Sequence, residues 1–235
     1  MQRKQSGFTL IEIAIVLVII GLLLGGVLKG QELINSAKVK NLATDFRNIP
    51  VFIYGYQDKF KALPGDDPAV VTHVAGTLAT TPTSSGGNPC PSSICTGNGV
   101  IDGNWNSSTT TDETYLFWQH VRLAGLAPGP TATGAGYLPT NTAGGTIGIQ
   151  SGTTSVTATP INATTSANPI RGSYVICSTG ILGKFVTQLD TQMDDGNTAT
   201  GSMMAGIATA AGSPMTAMAN GSIDPAATYT VCMGV

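Results

Sequence analysis

Two histidines, His73 and His120, are all the imidazole that this 235-residue chain offers for acid–base or metal chemistry. The first reads as part of a loop and the second as part of a short helix. Neither has an acidic or basic partner in phase, so both are expected to be structural. The chain contains no Walker loop, HExxH, GxSxG or CxxC. Its four cysteines fall as Cys90-x4-Cys95 and the separated Cys177 and Cys232, a set that permits three pairings. No histidine or second close pair completes a zinc-like ligand set, so disulfides are the better reading and a metal site is the rival. Two Asp/Asn/Gly loops, Asn98–Asn104 and Asp194-Asp195-Gly196-Asn197, place short oxygen ligands on glycine-bent backbone. That is calcium chemistry, although neither loop matches an EF-hand and both also read as plain turns. The remaining chemical oddity is Glu12, which stands inside the apolar run Phe8–Leu28 beside only one other polar side chain, Thr9. A carboxylate there costs on the order of 2–3 kcal/mol even on lenient insertion scales, which a simple anchor has no reason to carry.

The elements behind these residues are poor in charge. Charged residues make up 10% of the chain, against roughly 25% in a typical soluble domain, and aromatics 6%. A net charge of −2 supplies no basic face, so no nucleic-acid partner is expected. The composition argues against most enzymes and suits an assembling or cell-surface protein.

Phe8–Leu28 is twenty-one residues long, enough at ~1.5 Å per residue to cross a bilayer, and too long for the apolar core of a cleaved secretory signal. Arg3 and Lys4 precede it with no acid nearby, which puts that end in the cytoplasm. The succession of basic leader, Gly7, Phe8 and Glu12, all in register with the apolar run, resembles the class III signal of type IV pilins and type II secretion pseudopilins. The resemblance is specific over residues 1 to about 65 and architectural beyond. It implies that a prepilin peptidase cuts between Gly7 and Phe8 and methylates Phe8, and that Glu12 serves assembly. One departure stands out. Where many members carry a proline, this chain has Lys29, so Gly21, Gly25 and Gly26 are the substitutes for a weak point, each costing about 1 kcal/mol of helicity relative to alanine.

Beyond the span, Val39, Leu42, Phe46, Ile49, Ile53, Tyr56 and Phe60 repeat at spacings of 3 and 4, a single apolar stripe at helical period. Such a stripe must be buried against a globular head. Pro50 is expected to kink the helix, and Leu63-Pro64-Gly65-Asp66-Asp67-Pro68 to end it. Residues 64–110 read mostly as loop. Thr110-Thr111-Asp112-Glu113 fits a capping box before a helix whose Leu116, Phe117, Trp118, Val121 and Ala124 face a core. Residues 127–170, rich in Thr, Ala, Gly and Ser, read as long loops with a few weak strands, with disorder as the rival reading. A strand follows over 172–177, then a helix with Ile181, Leu182, Phe185, Val186, Leu189 and Met193 on one face, then candidate strands Met203–Thr209 and Ala227–Met233. Pairing Cys90 with Cys95 as a local staple, and Cys177 with Cys232 from the first C-terminal strand to the last, fits this order.

The fold class expected is therefore α+β: a long N-terminal helix on a small antiparallel sheet with Thr/Gly-rich loops. Residues 1–7 are a leader, 8–28 the membrane and assembly half of the helix, 29–63 its amphipathic half, and 64–235 a periplasmic or extracellular head. The functions implied are a filament subunit, a pseudopilin of a type II secretion system, or a membrane-anchored surface-binding module. No catalytic residues or required cofactor are expected, with calcium at Asp194, Asp195 and Asn197 as the one candidate metal. The partners implied by the resemblance are the prepilin peptidase, an inner-membrane assembly platform, the lipid bilayer, and copies of this chain or related subunits. The protein is expected in the inner membrane before assembly, and afterwards in a pilus or pseudopilus.

Overall fold

The apolar run and the amphipathic stripe form one continuous helix, α1 (Leu10–Phe60), which passes through Pro50 without interruption. The computed structural model describes residues 10–80, 96–164, 168–210 and 212–235. The chain divides into two units between Lys38 and Val39. In the first, the side chains of α1 are exposed almost throughout, including Leu10, Leu17, Leu22 and Leu28. In the second, Val39, Leu42, Phe46, Ile49, Ile53 and Tyr56 of the predicted stripe are buried, and its last member, Phe60, is half-buried. The helix ends at Phe60, where Lys61 turns into the left-handed region at φ 56°.

Two short helices precede the sheet: α2 (Val70–Val74) and α3 (Glu113–Leu123). Four strands among the described residues, β1 (Ile147–Ser151), β3 (Tyr174–Leu182), β6 (Thr228–Gly234) and β4 (Met203–Gly206), pair in that order and antiparallel throughout. α4 (Gly183–Met193) follows β3 directly, and β2 (Ile161–Asn162) and β5 (Met215–Thr216) form a separate parallel pair.

Alternation along the strands sends side chains to two cores. Ile149, Ile176, Met203 and Val231 face the α1 stripe, Phe117 and Val121 of α3, and Phe185, Val186 and Leu189 of α4. Val175, Cys177, Met204 and Cys232 face the other way, against Ile161, Ile170, Met215 and Ala217. Both faces of the sheet are therefore covered, which is why the first part of β3, Tyr174–Cys177, is apolar at successive positions. The second cover comes from the Thr/Ala/Gly-rich region, which is ordered between 147 and 164 around β1 and β2.

Three local expectations are corrected. Ile181 and Leu182 belong to β3 and not to the following helix, because they pair with Tyr229 and Thr228 beyond a register shift between Ser178 and Ile181. β4 stops at Gly206, short of the expected Thr209. The N-cap of α3 is Asp112 and not Thr110. Glu113 does not close a capping box there, because its Oε2 accepts the backbone N–H of Asp102 at 2.7 Å.

Candidate functional site

Gly7 and Phe8, the residues of the cleavage and methylation signal, lie outside the described residues. Glu12 sits in the first turn of α1, where the N-terminal end of the helix dipole favours a negative charge. The most apolar 18-residue stretch of the helix has a mean hydropathy of 2.8 and none of it is buried, so it is long and apolar enough to cross a membrane. An apolar surface of this extent left open to water marks a segment made for lipid or for other apolar helices.

In the head, the turn after α1 gathers polar groups that the sequence left scattered. Asp67 is fully buried and accepts hydrogen bonds from Tyr56 Oη and from the backbone N–H of Ala69, at 2.7 and 2.9 Å. His73 Nδ1 meets the same carboxylate at 2.7 Å. Burial by itself pushes the Asp67 carboxyl up, but the bonds from His73, Tyr56 and Ala69 outweigh it and hold the group below the usual carboxylate range. Tyr56 is pushed well up, first by burial and then by its bond to Asp67. His73 thus lies in α2 rather than a loop, stacks on Phe60 at 5.0 Å between ring centroids, and has the acidic partner that chain spacing did not reveal. The pair sits six residues apart across the 67–73 turn, a spacing that matches no regular period. The only visible clue was two adjacent acids in a helix-ending Pro-Gly segment.

His120 is fully buried in α3. Its Nδ1 accepts the N–H of Gly65 and its Nε2 donates to the Thr77 carbonyl, both at 2.9 Å, so both ring nitrogens serve the structure. Burial pushes this imidazole's pKa down, partly opposed by the bond to Thr77 and the charge of Asp67. Among the described residues no hydroxyl or thiol is hydrogen-bonded to either histidine, so the geometry contains no nucleophile–base pair of the kind covalent catalysis needs.

The 97–104 loop closes over the same turn. Asp66 Oδ1 accepts the N–H groups of Gly97 and Asn98, and Oδ2 that of Gly99 at 2.7 Å. Asn98 Nδ2 donates to Asp102 Oδ2 at 2.7 Å. Glu113, wholly buried at the start of α3, has its carboxyl pushed up to about 8, by burial first and then by the charges of Asp66, Asp102 and Asp112 against the single bond from Asp102 N.

Cys177 and Cys232 form a disulfide between register partners of β3 and β6. Cys90 and Cys95 lie outside the described residues. In the 194–197 loop the candidate calcium ligands act as turn caps. Asp194 Oδ2 accepts the N–H groups of Ser202 and Met203, Asp195 Oδ1 that of Asn197, and Asn197 Oδ1 that of Ala199. Beneath them Asp190 is buried, and its carboxyl is pushed up to about 7 by burial and then by the charges of Asp194 and Asp195.

Comparison with known proteins bears on the N-terminal end. No curated protein and no solved structure matches the chain. Residues 2–28 match the family model described as the prokaryotic N-terminal methylation motif, so a prepilin-type N-terminal motif is present and includes the first described part of the apolar helix, from Leu10 to Leu28.

Proposed function

We propose that this chain is the structural subunit of a type IV pilin-like filament. The observation that carries the reading is the coincidence, within residues 2–28, of a methylation motif with an apolar helical segment of which no part is buried. In this reading Arg3 and Lys4 hold the leader at the cytoplasmic face, and a prepilin peptidase cuts between Gly7 and Phe8 and methylates Phe8. The chain then waits in the inner membrane with its head outside the cytoplasm. An assembly platform transfers it from lipid into a bundle of apolar helices. The gain in lipid-to-bundle transfer is small per residue, so register must come from a polar contact. Cleavage creates one cation near the apolar run, the α-amine of Phe8, and Glu12 is the carboxylate to meet it on a neighbouring subunit. Such a pair selects register more than it adds net stability, because desolvation offsets much of the attraction. A pseudopilin of a type II secretion system uses the same signal and helix, and a filament confined to the periplasm rather than sheared from the surface would identify it.

The test is the intact mass of protein recovered from sheared surface filaments and, separately, from membranes. A chain beginning at Phe8 and carrying one extra methyl group, present in the filament fraction, is expected. A chain that keeps Met1–Gly7, or one cut near Gly26, would overturn the processing step. A correctly processed chain found only in the inner membrane would favour the surface-binding module.

A further inference from the structure

Three buried acids lie in the region where the turn after α1, the 97–104 loop and the start of α3 converge: Asp66, Asp102 and Glu113, exposed by 2%, 1% and 0%. The Asp66 carboxylate is well supplied, with three backbone N–H donors. Glu113 is not. Its Oε2 takes the N–H of Asp102, and its Oε1 is buried with no hydrogen-bond partner. Thr114 Oγ1 is in the same condition, and it lies against Gly103, where an added Cβ would approach it to 3.1 Å. Glu113 and Thr114 thus each carry an unpartnered buried oxygen and lie against consecutive residues of the loop, Asp102 and Gly103. Leaving a buried acceptor unsatisfied is costly, and more so if it is charged. Among the described residues, the hydrogen bonds to these three carboxylates come from backbone and amide N–H groups and none from a cationic side chain. Buried carboxylates without a cationic partner are costly, and a bound cation removes that cost.

We propose that Asp102, Glu113 and Thr114 supply the side-chain ligands of a calcium site, completed by backbone carbonyl oxygens and water. The donors are all oxygen, which selects a hard cation. Among the described residues no three His, Cys, Asp or Glu side chains form a metal-holding group by themselves. A shell of two carboxylates with hydroxyl, carbonyl and water oxygens is a composition calcium accepts, because it takes six to eight oxygens in flexible geometry. The bound ion ties the 97–104 loop, already wrapped around Asp66, to the first turn of α3. The inference stands apart from the filament reading, since it concerns the head alone.

The experiment uses the full chain in detergent, stripped with a chelator. Calcium titrated back raises Tm saturably, with a midpoint on the order of 10⁻⁴–10⁻³ M, the range of extracellular calcium modules. Terbium in place of calcium gives luminescence, sensitised by aromatic side chains of this region such as Trp105, which calcium displaces. Glu113→Gln and Asp102→Asn each abolish both responses, while Asp194→Asn keeps them. The terbium titration and its displacement on the unsubstituted protein need no variant and decide the matter if a variant fails to fold. An unmoved Tm with no displaceable terbium signal would overturn the site and leave a proton as the neutralising agent. A response kept in Glu113→Gln and lost in Asp194→Asn would place the ion in the 194–197 loop and overturn it equally.

Discussion

Gly65 donates its backbone N–H to His120 Nδ1 at 2.9 Å, across 55 residues of sequence. This bond fastens the turn that ends α1 to the middle of α3, and the other ring nitrogen extends the link to Thr77. The turn can come that close only because residue 65 has no side chain. Its φ is +95°, and a Cβ there would lie 2.6 Å from the carbonyl oxygen of Glu113.

Gly65→Ala is therefore expected to destabilise the head by roughly 2–3 kcal/mol, from left-handed strain together with a backbone clash. Chemical denaturation of the detergent-solubilised chain measures it. A change under about 0.5 kcal/mol would mean that the turn relaxes freely.

His120 makes stability depend on pH in a stated direction. Its folded pKa lies below the ordinary 6.5 because burial opposes the imidazolium. The unfolded chain then binds more protons, and stability present above about pH 6.5 is lost as pH falls below it. The raised carboxyls of Glu113 and Asp190 add stability as pH falls over the same range, so the His120 contribution is read by difference: between pH 6.5 and 5 the Tm of the unsubstituted chain should fall relative to that of His120→Asn.

Glu113 acts in the opposite sense. Its carboxyl is raised from 4.5 to about 8, so in chelator the folded state holds a proton that the unfolded chain releases. Stability is full below pH 4.5 and declines as pH rises through about 8. The window between pH 7 and 8 lies above His120 and largely above Asp190, whose raised carboxyl titrates near 7. Chelated protein should lose Tm across that window, and Glu113→Gln should lose less.

The Cys177–Cys232 bridge closes a loop of 55 residues. In the chain-entropy model this contributes about 4 kcal/mol, so replacing both cysteines with alanine should lower Tm by roughly 10 °C. Non-reducing peptide mapping should recover the two cysteines joined to each other.

Glu12→Leu removes the one acid from the apolar segment. The variant is expected in the membrane fraction at normal level and absent from sheared filaments, read by immunoblot in cells making it as their only copy. Normal filament yield would show that register is set elsewhere. Loss from the membrane would move the defect to insertion.

The elements that follow from local pattern alone were legible before any coordinates. The stripe from Val39 to Tyr56 at helical period, the apolar run before it and the methylation motif are each written in consecutive residues, as are β6 and most of α3. Where a long apolar run forms a helix, periodicity decides, because intrahelical hydrogen bonds are local. The pairing of Cys177 with Cys232 was also within reach, since both fall in strands that had to meet.

Tertiary structure alone decided the rest. That Ile181 and Leu182 extend a strand depends on their partners Tyr229 and Thr228, more than 45 residues away. That the Thr/Gly-rich region orders around β1 and β2 depends on the far face of the sheet needing a cover, which no local propensity expresses. Glu113 was read as a capping residue because the spacing permitted it, yet its carboxyl turns to Asp102, which only packing brings within 2.7 Å. His73 and Asp67 meet for a like reason, through a turn of irregular conformation. Sequence determines which segments must be helical and apolar. The environment of a buried polar side chain is set by residues distant along the chain, and so is its protonation.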